Sequence, residues 1–284
     1  VPAEPPIEVP RHLAEAYALL SGSDLTPIAG GTDVMVRITG ELGPTPGRML
    51  DLSRLEELSG IEMRDGSLVL GARTTYTEIR RSAPCRDHLP VLAEAAATIG
   101  AAQIQNRGTL GGNVVNASPA GDMLPVLLAC DAMLVLGSGR GEREVAARDF
   151  FVGYRRTALA ADELLLRIRI PLPPGRQVRF RKVGTRRAQA ISKVVLAIAW
   201  RDAGPAGWSD VRVALGSVAP TPIRVGAVES ILEGARPDPE VADRAAQALA
   251  ASIEPIDDVR STAEYRRVVA ARILHRILRE AGGW

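Results

Sequence analysis

Cysteine is almost absent from this chain. Cys85 and Cys130 stand far apart and in no C-x-x-C pair, which excludes a disulfide scaffold and a four-thiolate metal or iron–sulfur centre of the chain's own. Histidine is as sparse: His12, His88 and His275 show no HxxxH or HExxH spacing, so no protein-bound metal is expected. Long apolar runs are also missing. The longest, such as Val194–Trp200, fall well short of the roughly 20 residues that span a bilayer, and no membrane span is expected. The first residues, Val1-Pro2-Ala3-Glu4-Pro5-Pro6, lack both the basic and the apolar region of a secretory signal, which makes the cytoplasm the expected location.

An excess of one charge sign is lacking too. With 35 basic against 33 acidic residues the net charge is +2, too small for a surface that tracks nucleic-acid phosphates. Lysine itself is rare: only Lys182 and Lys193 occur, and the other basic residues are arginines. A lysine spared in such a chain marks a position where a compact ammonium differs in use from a planar guanidinium. What remains is ordinary for a soluble globular protein, 46% hydrophobic and 24% charged. At 284 residues it exceeds the usual size of one core, so two domains are expected.

Two glycine pairs stand out: Ala29-Gly30-Gly31-Thr32-Asp33, and Gly108-Thr109-Leu110-Gly111-Gly112-Asn113. Each sets backbone N–H groups beside hydroxyl or amide side chains, a means of holding a dinucleotide pyrophosphate without a metal. Together they suggest one extended ligand gripped from both sides. A strand Thr26–Ala29 would lead into the first pair, and a short helix over Val34–Ile38 would add its dipole there. The Gly137–Gly141 segment imitates a dinucleotide fingerprint, but Glu142 occupies its third glycine position, and a hairpin turn is the better reading.

Elsewhere the periodicity predicts helices at His12–Leu20, Thr77–Arg81, Val91–Ile99 and Met123–Cys130, and a hairpin around Asp65-Gly66. A strand over Leu164–Ile170 runs into Pro171-Leu172-Pro173-Pro174-Gly175, a stiff boundary. Beyond it come strands at Val178–Lys182, Val194–Arg201 and Val211–Val218, then helices at Gly226–Glu233, Pro239–Ala250 and Ala263–Arg279. The expected fold is α+β, with a larger domain over 1–173 (subdomains about 1–57 and 58–173) and a C-terminal unit over 174–284 made of a small antiparallel sheet with helices.

The two glycine segments, in this order, resemble the flavoprotein subunit of the molybdenum hydroxylases, the xanthine dehydrogenase and carbon monoxide dehydrogenase medium-subunit type. The likeness runs on through Val114–Asp122, Glu163–Pro171, Arg181–Arg187 and Asp258–Arg266. It implies a PCMH-like, two-subdomain FAD-binding fold and a C-terminal domain closing over the flavin ring. By this resemblance Ile28, Ala29, Gly30, Gly31, Thr32 and Asp33 bind the pyrophosphate and its surroundings, while Thr109, Gly111, Gly112, Asn113, Asn116, Ser118 and Asp122 contact phosphate, ribityl and adenosine parts. Ile99 and Leu165 would pack on the ring and Lys182 would polarise it.

Structural readings stand beside these: Asp33 and Asp122 as helix caps, Leu165 as core, Lys182 as a strand lysine with its head in water, Arg186 and Arg187 as surface or interface charges. Where some relatives carry an acidic residue after Arg187, this chain has Ala188-Gln189-Ala190-Ile191, so no acid there can tune the ring.

The resemblance further implies that molybdopterin and [2Fe–2S] clusters sit on a large and a small partner subunit, in an assembly that extends to a dimer of heterotrimers. Electrons would reach FAD here and leave to NAD, oxygen, a quinone or another acceptor. Two other classes stay open: a stand-alone flavin reductase or oxidase, and a nucleotide-binding structural subunit without redox turnover.

Overall fold

A computed structural model describes residues 5–40 and 44–284, so Val1–Glu4 of the proline-rich start lie outside the described residues. The first unit contains β1 (Ile7–Glu8), α1 (Leu13–Gly22), β2 (Thr26–Ile28), α2 (Val34–Ile38) and β3 (Met49–Asp51), its strands forming a parallel sheet in the order β1-β3-β2. In α1 the helical spacing of the apolar residues buries Ala16 and Leu20 against Leu50, Leu55 and Leu58. That small core fixes β2, and β2 delivers the chain to Gly30.

The second unit starts with β4 (Ile61–Arg64) and β5 (Ser67–Gly71), joined as the sequence suggests by Asp65-Gly66 with φ of 48° and 69°. Six helices follow: α3 (Tyr76–Arg81), α4 (Ala83–His88), α5 (Pro90–Ala97), α6 (Ala102–Arg107), α7 (Leu110–Asn116) and α8 (Leu124–Ala129). Then come β6 (Met133–Ser138), β7 (Gly141–Ala146), α9 (Ala147–Phe150), β8 (Phe151–Gly153), β9 (Arg156–Thr157) and β10 (Leu164–Pro171). The large strands form an antiparallel sheet in the order β4-β5-β10-β6-β7, and the Gly137–Gly141 segment is the β6–β7 hairpin turn.

The periodicity predicts α3 and α8 but not α4, α6 and α7, which are of similar length. In α7, where a glycine loop was expected, two glycines oppose helix formation and tertiary bonds enforce it. Thr109 caps the helix by accepting from the Gly112 amide at 3.0 Å, while the Leu110 and Gly111 amides donate to the Thr74 and Ala72 carbonyls just beyond β5.

The third unit is an antiparallel sheet of β11 (Arg176–Val183), β12 (Val194–Asp202), β13 (Trp208–Gly216) and β14 (Ile223–Arg224), backed by α10 (Gly226–Leu232), α11 (Pro239–Ser252) and α12 (Ala263–Gly282). The apolar run of β12 is explained by burial on both faces. Val194, Leu196, Ile198 and Trp200 pack on the helices, whereas the smaller Val195, Ala197 and Ala199 join the core that contains α8. Arg176, Arg212 and Arg224 of the sheet converge on Asp131 just after α8, and Arg176 also donates to the Cys130 carbonyl. The third unit is thereby bonded to the second beside the shared core.

Candidate flavin site

The two glycine segments meet. A Cβ on Gly30 would lie 1.8 Å from the Arg107 carbonyl oxygen and 3.1 Å from the Gly108 Cα, so only glycine allows the backbones this close. Further along, the Asn116 side-chain amide donates to the Asp33 carboxylate at 2.9 Å. No ligand-wide gap separates the segments at either point. The two segments therefore touch at both points.

Their backbone amides differ. Among the described residues, those of Gly30, Gly31, Thr32 and Asp33 donate to no protein group. Four successive free donors on a loop that bends through a left-handed Gly31 (φ 76°) suit an anionic oxygen cluster. In the second segment the amides of Leu110, Gly111, Gly112 and Asn113 are all occupied within the chain. Gly111 is required for packing, because its Cβ would fall 2.6 Å from the Ala72 carbonyl oxygen. Gly112 is exposed, and its Cβ would meet only the Thr109 hydroxyl, leaving its outer face open to close approach. The helix α2 spans five residues, too few for a substantial macrodipole, so the free amides carry the anion-binding capacity of the first segment.

The side chains fit the dinucleotide as well. The Asn113 Oδ1 is buried without a hydrogen-bond partner, a vacancy for a polar donor. Partial burial raises the Asp33 carboxyl above the usual range, while Arg155 and the Asn116 bond pull it back. Ser118 accepts from the Ala120 amide and shapes the turn that brings Asp122 inward. Ala117 precedes that turn in a left-handed conformation (φ 47°).

Lys182 does not have its head in water. Its side chain and that of Asp122 are each 9% exposed, and Nζ donates to the Asp122 Oδ2 at 2.6 Å and to the Thr98 carbonyl at 2.9 Å. Ser192 donates to the other Asp122 oxygen. Burial raises the Asp122 carboxyl above its ordinary range, against the opposing pull of Lys182 and then Ser192. Two of the three ammonium hydrogens are thus committed, leaving one for a ligand. Ile99 lies beside Thr98, half-buried against the main core, and Leu165 is 4% exposed within that core. The Gln189 amide donates to the Gly100 carbonyl and the Ser217 amide to the Pro119 carbonyl, so the third unit is bonded to the second here as well.

Sequence reasoning missed three participants. Arg107 supplies the backbone that demands Gly30; Ser192 holds Asp122; Arg155 donates to Asn116 at 2.8 Å. None carries a local sequence signal, since each acts across long separations that only the fold supplies.

This geometry defines an anion-binding surface of the kind a dinucleotide cofactor needs, and comparison with known proteins identifies the class as FAD-binding. The model for the FAD binding domain in molybdopterin dehydrogenase matches residues 5–173, and that for the CO dehydrogenase flavoprotein C-terminal domain matches residues 179–281. The chain belongs to the family of FAD-binding subunits of the molybdenum hydroxylases. It is 33% identical over 275 residues to the carbon monoxide dehydrogenase medium chain of Hydrogenophaga pseudoflava, covering 96% of this chain and 95% of that one. To the xanthine dehydrogenase FAD-binding subunit of Escherichia coli O157:H7 it is 31% identical over 274 residues, covering 95% and 93%. In structure it is similar to a carbon monoxide dehydrogenase chain from Hydrogenophaga pseudoflava, with TM-score 0.94, 32% identity and coverage of 99% and 98%. The quinoline 2-oxidoreductase of Pseudomonas putida 86 gives TM-score 0.92 at 26% identity, covering 99% of this chain and 98% of that one. Among the described residues no helix is long and apolar enough to cross a membrane.

Proposed function

We propose that this chain is the FAD-carrying electron-transfer subunit of a molybdopterin-dependent hydroxylase, taking electrons from [2Fe–2S] clusters of a small partner subunit and passing them to an external acceptor. The observation that carries this reading is the row of free amides from Gly30 to Asp33 on a surface completed by the second glycine segment. Those amides, with Thr32, would bind the pyrophosphate. Thr109, Gly112, Asn113 and Ser118 would line its continuation, and Ile99, Leu165 and Lys182 would border the ring. FAD, when bound, supplies the redox chemistry. The residues contribute position and charge: the remaining Lys182 hydrogen favours negative charge on an adjacent acceptor atom, and Asp122 with Ser192 keeps that ammonium in place.

Two cysteines and three scattered histidines give the chain no ligands for molybdenum or a cluster, so oxidation of the organic substrate is assigned to a large molybdopterin subunit. The names of the relatives, medium chains and FAD-binding subunits, support such an assembly. The division into a FAD domain (1–173) and a C-terminal domain (174–284), and a cytoplasmic location, belong to the same proposal.

The test is an absorbance spectrum of the purified chain after FAD reconstitution, followed by addition of NADH without partners. Bound flavin with no turnover of its own supports the reading. Failure to take up FAD refutes it in favour of a structural subunit, and NADH oxidation by the isolated chain favours a stand-alone reductase.

A further inference from the structure

Arg155 stands at the tip of the β8–β9 hairpin, exposed, with φ of 50°. A residue other than glycine, asparagine or aspartate enters the left-handed region only at a cost. The Arg155 side chain bonds away from the hairpin. The guanidinium donates to the Asn116 Oδ1 at 2.8 Å, and the Asn116 amide donates to the Asp33 Oδ1 at 2.9 Å. The guanidinium also lies over the ring of Tyr154, 6.0 Å from its centroid, which limits its swing. Three segments distant in sequence are thus joined in one polar relay: the hairpin tip, the end of α7 and the last residue of the free-amide row.

Charge gives the relay a purpose. A carboxylate at the end of an anion-binding loop opposes the ligand, and Arg155 is the cation whose field acts on Asp33. Asn116, with a donor and an acceptor on one amide, passes the orientation from the guanidinium to the carboxylate. We propose that Arg155 is a positioning residue of the dinucleotide site: through Asn116 it fixes the Asp33 carboxylate and offsets its charge, so that a pyrophosphate can occupy the Gly30–Asp33 amides. This rests on the FAD reading given above. The relay is exposed and adds little to folding stability, so its removal separates binding from folding.

The experiment is fluorescence titration of the FAD-free full chain with FAD, for the parent, Arg155→Ala, Asp33→Asn and the double variant, at low and high salt. Arg155→Ala is expected to weaken FAD binding about tenfold or more, the scale of one charged hydrogen bond, with the circular dichroism spectrum unchanged. In the Asp33→Asn background the same change should cost about threefold or less, because no carboxylate is left to offset. The salt dependence of binding should be shallower in Arg155→Ala than in the parent. Equal losses in both backgrounds, or no loss in either, would overturn the proposal while leaving FAD binding by the parent intact. A parent that binds no FAD overturns the underlying reading and the proposal together.

Discussion

Replacing Lys182 by methionine, nearly the same length without the ammonium, isolates the interaction that joins the third unit to the flavin region. The Lys182–Asp122 pair is buried on both sides, so the loss is not that of a surface bridge. Removing one partner of such a pair costs about 3–5 kcal/mol when the other stays charged. Asp122 has one route of relief, which is to take up a proton. Its carboxyl already lies above the ordinary range because of burial, and without Lys182 only Ser192 opposes that shift.

A carboxyl whose folded pKa exceeds its unfolded one contributes stability at low pH that is lost as pH rises through the folded value. In Lys182→Met the folded value climbs further, so the deficit relative to the parent grows as pH rises. From about pH 5 to about pH 7.5 the deficit should widen, at no more than about 1.4 kcal/mol per pH unit. Urea unfolding of the FAD-free chain at the two pH values measures it. A deficit that does not change with pH, or one below about 1 kcal/mol at about pH 7.5, would refute the claim that Lys182 holds a charged Asp122.

The same variant, reconstituted, should retain FAD yet differ from the parent in reductive titration; a matching titration would return Lys182 to a structural role. Gly30→Ala places a Cβ 1.8 Å from the Arg107 carbonyl oxygen, a backbone atom that no rotamer change can move. The two segments must part by roughly 1.4 Å, and FAD affinity should fall by about 100-fold in a fluorescence titration, a misplacement of the size known to cost that much. Gly112→Val should weaken FAD binding while circular dichroism stays that of the parent, since its bulk faces open space apart from Thr109. Unchanged affinity by calorimetry would remove Gly112 from the site.

Much of the architecture was legible because it rests on local rules. Asp65-Gly66 announced its hairpin, the apolar spacing over His12–Leu20 announced α1, and the proline-rich stretch separates β10 from β11. Helix α7 was not legible, since Gly111 and Gly112 argue against a helix that the Ala72 and Thr74 carbonyls then impose from the turn after β5. The site follows the same division. Its residue types could be read from the glycines, Asn113 and Lys182, but their bonds within the chain could not. The amides of the second glycine pair are bonded within the chain, and Lys182, expected either to polarise the ring or to keep its head in water as a strand lysine, is buried on Asp122, against the second of these readings. Arg155 and Ser192 emit no local signal, because their partners Asn116 and Asp122 lie far away in the chain.

The proposed role of this chain is to pass electrons from a clustered partner to an acceptor through FAD on the Gly30–Asp33 surface. Its most direct test is flavin absorbance followed by stopped flow when the FAD-loaded chain is mixed with the pre-reduced small [2Fe–2S] subunit of its own complex. Rapid bleaching that requires the small subunit, and recovers on addition of an acceptor, is the predicted result. A flavin that stays oxidised in the assembled complex, while substrate turnover continues, would contradict the account.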